Sequence, residues 1–113
     1  MPPTSFDYTV ESITALEVLI GTLLESASPA DLDKSFSLGM GAYVGEVIVR
    51  HRTGAHWSYD TDQSTALVQS AQHGSYPVFK VSKRFTIGPE HSLVQFVQAA
   101  IDDEMPPEAR RLP

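Results

Sequence analysis

Cysteine is missing from all 113 residues, which removes disulfide staples and thiolate metal ligands together. Positive charge is scarce: 8 Lys and Arg stand against 14 Asp and Glu, for a formal charge of −6. Phosphate recognition draws on basic groups, so nucleic acid is disfavoured as the main partner. Long apolar runs are missing too. The longest nearly uncharged one, "LGMGAYVGEVIVRH" at 38–51, is interrupted by Glu46 and falls short of the roughly 20 residues that span a bilayer. The start, "MPPTSFDYTV", shows no basic stretch ahead of an apolar one, so no leader is read there and a cytoplasmic setting is expected. G-x-x-x-x-G-K-[ST], G-x-G-x-x-G and G-x-S-x-G are all absent, so neither a nucleotide cofactor nor a serine elbow is expected. No other cofactor is expected either.

What is present reads as a folded chain. An apolar content of 42% with 19% charged residues suits a globular protein rather than a disordered one. One domain is expected over 1–113, with an ordered core at about 9–104 and a mobile tail at 105–113. Val10, Ile13, Leu16, Ile20, Leu23 and Leu24 recur at helical spacing. They predict a helix over about 10–26, capped by Thr9, with Glu11 in its first turn. Ser28, Pro29 and Asp31 give an N-cap, a first-turn proline and an N3 acid for a second helix. Leu32, Phe36, Met40, Tyr43 and Val47 carry its stripe through 38–51, although the Val-Ile-Val run favours a strand. Gly41 and Gly45 lie four apart on one face of that helix, where another element can come close. Each costs about 1 kcal/mol against alanine, so tight packing is expected there.

Beyond Gly54, "AHWSYD" and "TALVQSA" read as short strands joined by "TDQS", and "QHGSY" as a loop. In 77–87 the residues Phe79, Val81, Phe85 and Ile87 alternate as in a strand. Pro77 and Gly88 frame the same segment as a helix, and the helix is the reading taken. Leu93, Val97, Ala100 and Ile101 mark a last helix over about 90–104, ended by Pro106 and Pro107. The expected class is therefore α+β: an N-terminal helix pair, a small antiparallel hairpin or sheet, and C-terminal helices packed on it.

Three stretches, "LGMGAYVGEVIVRH", "HWSYD" and "YPVFKVSKRFTIGPEHSL", give a wider likeness over roughly 36–101. They resemble a group of small bacterial domains of unknown function with a G-A-Y-x-G-E helix, a tryptophan strand and a P-[FVL]-x-K-V-x-K-R segment. The resemblance implies helices around a small antiparallel sheet and brings no activity or functional residue. Some members look like the proteins that sit beside bacterial toxins, which implies an immunity role.

Glu46 is the one acid in its stretch. Arg50 stands one turn on, in the favourable acid-before-base order, worth about 0.2–0.5 kcal/mol if exposed. A buried partnership with Lys83 or Arg84 would matter more, since removing one member of a buried pair costs about 3–5 kcal/mol. Either way Glu46 is expected to be half of a structural ion pair rather than a catalytic group, and no catalytic residue is assigned. Lys80, Lys83 and Arg84 fall at 0, 3 and 4, a single basic ridge on a helix, flanked by Tyr76, Phe79 and Phe85. Lys80, Lys83 and Arg84, with Trp57 and Tyr76, are the expected partner-binding residues. The bland alternative is a solvated face whose aromatics, like Trp57 and Tyr59, belong to the core. His51, His56, His73 and His91 lack the spacing of a zinc site, so no metal is expected.

The first functional expectation is a non-catalytic protein-interaction domain, of immunity or regulatory type, whose partner is another protein. The second is a small enzyme or ligand binder with a pocket at Glu46, Tyr43 and Trp57. The third, nucleic-acid binding, rests on the Lys80–Arg84 ridge alone.

Overall fold

A computed structural model describes residues 6–70 and 74–102. The four helices and three strands found there make an α+β fold, running α1 (Ser12–Leu24), α2 (Pro29–His51), β1 (His56–Asp60), β2 (Thr65–Gln69), β3 (Gly74–Ser75), α3 (Pro77–Thr86) and α4 (Leu93–Asp102). The expected tail at 105–113, with Pro106 and Pro107, lies outside the described residues, as does His73.

The first helix opens two residues later than its apolar pattern suggests. The expected cap is corrected: the Thr9 hydroxyl oxygen accepts from the Ser12 N–H at 3.2 Å, but 10–11 form a turn and the N-cap is Glu11, which is therefore not in the first turn. Tyr43 on α2 fixes this entry. The Tyr8 N–H donates to the Tyr43 hydroxyl at 2.9 Å, and the Ser12 hydroxyl donates to the Thr9 carbonyl at 2.6 Å. Ser12 has only one proton, so the 2.5 Å contact with Tyr43 runs from tyrosine to serine. Ile13, Leu16 and Ile20 face the core.

Ser28 caps α2 through its side chain, accepting from the Asp31 N–H at 3.2 Å, with Pro29 just inside. The helix runs unbroken to His51. Val44, Val47 and Ile48 are fully buried at helical spacing, so burial along one stripe outweighs their strand preference. The glycine pair explains how α2 can be central. A Cβ on Gly41 would stand 2.6 Å from the Cα of Val78, so the start of α3 lies directly on the α2 backbone. A Cβ on Gly45 would overlap the Trp57 ring. The helix that α2 touches most is α3, not its sequence neighbour α1.

β1 and β2 form an antiparallel hairpin in which Trp57 faces Val68 and Tyr59 faces Ala66. "QHGSY" is not wholly loop: Gly74 and Ser75 pair with Gln69 and Val68 as a third, edge strand. Two residues are too few for a period-2 pattern to show. α3 follows its proline-to-glycine frame, with Val81 and Phe85 buried and Gly88 beyond its end at φ 144°. α4 starts at Leu93, later than position 90. Glycine, proline and a turn occupy 88–91, and the Ser92 hydroxyl oxygen accepts from the Gln95 N–H at 3.1 Å. Val68, Val81, Phe85, Leu93, Val97 and Ala100 close the core over α1 and α2. Among the described residues no helix is long and apolar enough to cross a membrane.

Candidate functional site

The basic ridge expected on α3 is divided. Arg84 turns inward, into the stripe of Val81 and Phe85, and its Nε donates to Glu17 Oε1 at 2.7 Å. Glu17 Oε2 accepts the first amide of α4, Leu93 N–H, at 2.6 Å. One carboxylate thus ties α1 to both α3 and α4. The side chains are 9% (Arg84) and 18% (Glu17) exposed, so this pair is largely withdrawn from solvent. The expected partnership of Arg84 or Lys83 with Glu46 is therefore corrected: Arg84 serves Glu17, and no ion pair joins Lys83 to Glu46 among the described residues. Arg84 is also not available for partner binding. A signal did exist, because Glu17 and Arg84 each fall in the buried stripe of an amphipathic helix, where a lone charge needs an opposite one.

Lys80 and Lys83 face the other way, into a cleft of about 340 Å³ between the β3–α3 junction and α4. Tyr76, Phe79 and Phe96 supply its aromatic walls and Ala99 part of its floor. Tyr76 stacks on Phe79 with centroids 5.7 Å apart, and its hydroxyl donates to Asp60 Oδ2 at 2.7 Å. That bond holds the Asp60 carboxyl below the usual carboxylate range and the Tyr76 phenol above its own. Lys80 is half-buried, with its ammonium 5.8 Å from the Phe96 centroid and 3.3 Å from His91 Nδ1. An ammonium can only donate, so His91 accepts there. Burial, and then the charge of Lys83, push the Lys80 ammonium below the usual lysine range. Among the described residues no carboxylate pairs with either lysine.

Glu46, Tyr43 and Trp57 do meet, with Tyr8 and Arg50, around a second concavity of about 500 Å³. Both Glu46 oxygens are engaged there: Oε1 accepts the Trp57 indole N–H at 3.0 Å and Oε2 accepts Arg50 Nε at 3.1 Å. The indole bond first, and Arg50 second, hold the Glu46 carboxyl below its ordinary value. Arg50 also lies 4.0 Å over the Tyr8 ring, which stacks on Tyr43. This pair is 51% (Arg50) and 33% (Glu46) exposed, so it sits at the surface. Trp57 packs on Gly45, whereas Tyr59, on the same strand face, is 61% exposed.

The described histidines are dispersed. His51 Nε2 meets the Tyr8 carbonyl at 2.7 Å and His56 Nδ1 the Gly54 carbonyl at 3.2 Å. Among the described residues no three His, Asp or Glu side chains converge as metal ligands. Arg52, beside Arg50 in sequence, reaches the opposite way and donates to the Ile101 carbonyl at 3.3 Å, near the end of α4. No family model, no curated protein and no solved structure matches this chain.

Proposed function

We propose that this chain is a non-catalytic domain that binds another protein, in the manner of an immunity-type or regulatory protein. Its recognition site is the cleft of Lys80 and Lys83. The observation that supports this reading is the unmet charge of that cleft: two ammoniums one turn apart, set against aromatic walls, with no carboxylate paired to them among the described residues. Aromatic anchors beside a cation are what protein interfaces use for affinity. The carboxylates best placed to act as reagents, Glu17 and Glu46, have both oxygens committed to internal donors. Trp57 serves the fold, through Gly45 and Glu46, rather than the partner.

The test is association with the purified products of the genes flanking this one, followed by surface binding kinetics. One of them binds, and Lys83→Glu slows association by about tenfold or more, as raised salt slows the wild type. Binding that is indifferent to both Lys83→Glu and salt contradicts the reading.

A second reading, a small-molecule binder at Glu46, Tyr43 and Trp57, is favoured by the concavity those three residues share. As an enzyme it would need Glu46 free to exchange a proton, and the two donors on its carboxylate work against that. A turnover lost in Glu46→Gln with stability unchanged would revive it.

A further inference from the structure

We infer that the α3–α4 cleft takes a carboxylate borne by an apolar, ring-sized group, with Lys80 and Lys83 receiving the carboxylate and Phe79 and Phe96 the apolar body. The inference rests on the preceding reading of the cleft as the recognition site and specifies its ligand.

Its size is the first support. About 340 Å³ is at the lower end of pockets that enclose small molecules, enough for one aromatic ring and a short linker. The second is the arrangement of charge. Lys80 lies partly within the apolar wall while Lys83 stands at the exposed rim one turn later. An anion between them would offset both the desolvation of Lys80 and the repulsion from Lys83 that lower its proton affinity. The groups facing Lys80 from other elements are His91, which accepts from it, and Phe96 on α4. Tyr76 at the mouth is tied to Asp60 and has no proton left to offer.

The third support separates a carboxylate from a phosphate. Phosphate sites recruit arginine forks and the free amides of helix N-termini. Here Arg84 is committed to Glu17 and the first amide of α4 is held by the same carboxylate, so the cleft offers no arginine fork. Two point-charge donors beside aromatic walls match two oxygens on an apolar stem.

Two sources present that chemistry: the C-terminus of a polypeptide ending in an apolar residue, and a free organic acid. The experiment follows amide resonances of the whole chain during titration with 3-phenylpropanoate, its neutral amide, and a tripeptide ending in phenylalanine as acid and as amide. The acids shift Gly74, Lys80 and Ala99 at millimolar concentration, and each amide binds at least about tenfold more weakly, the worth of one charge-assisted hydrogen bond. Lys80→Met, which keeps the side-chain stem, removes that preference for acid over amide. A peptide acid that binds more tightly than 3-phenylpropanoate assigns a chain terminus, and equal affinities assign a free acid. Acid and amide binding alike, shifts confined to residues away from the cleft, or no shifts at all overturn the inference. No partner protein is present in these titrations. Their failure therefore leaves protein binding through the lysines standing, just as acid-selective binding would survive failure to find a protein partner.

Discussion

The two sides of α3 carry the same sign of charge and put it to opposite uses. On the inner side Arg84 is buried beside Val81 and Phe85 and is neutralised by Glu17. On the outer side Lys80 and Lys83 border an open cleft with no acidic partner among the described residues. One position along a ten-residue helix separates a cation that fastens three helices from one that has nothing internal to hold. The outer charge faces a concave, aromatic surface and is uncompensated among the described residues.

The comparison breaks most severely on the inner side. Arg84→Met leaves the part-buried Glu17 without a counter-charge and lowers unfolding free energy by about 3 kcal/mol in urea titrations. Adding Glu17→Leu restores much of that loss, because an apolar pair can replace a buried ionic one. The close approach of α3 to α2 gives the next effect. Gly41→Ala forces its Cβ against the Val78 backbone and costs about 1–3 kcal/mol by the same titration. Gly39→Ala, on the same helix but facing open space, instead gains up to about 1 kcal/mol. A gain at Gly41 equal to that at Gly39 would show that helix propensity, not packing, governs both.

The surface pair sharpens the contrast between buried and exposed charge. Glu46→Gln lowers stability by only about 0.2–1 kcal/mol, since the pair is solvent-screened. Its sign with pH follows from the depressed pKa of Glu46. The contribution is complete above the ordinary value of 4.5 and disappears as pH falls through the lower folded-state value. Wild type and Glu46→Gln therefore differ at neutral pH and converge in acid, which thermal unfolding across that range records.

Much of the fold could be read from the sequence because its signals were local. Ser28-Pro29 started α2, Pro77 and Gly88 framed α3, and the Gly41–Gly45 spacing announced a close contact. The α2 stripe outlasted a strand-favouring run because burial is decided by periodicity over many residues. The apolar pattern puts the start of α4 too early although Ser92 and Gln95 stand at capping-box spacing, a local signal that competes with the apolar run beyond it. The edge strand leaves no trace in the sequence because two residues hold no period. The site was harder to read for a different reason. Adjacent numbers on α3 hide opposite faces, so spacing alone groups Arg84 with Lys80 and Lys83. Its true partner lies 67 positions away on α1, a pairing that only the tertiary fold creates. The meeting of Lys80 with Phe96 is non-local in the same sense.

The most direct test of the division of labour on α3 is the urea unfolding of Lys80→Met/Lys83→Met beside that of Arg84→Met. The double variant keeps both aliphatic stems while removing an uncompensated like-charge pair. Its unfolding free energy should stay within about 0.5 kcal/mol of wild type, on the stabilised side if it moves. A loss comparable to that of Arg84→Met would mean the lysines are part of the scaffold, and the cleft would no longer be a surface held in reserve for a ligand.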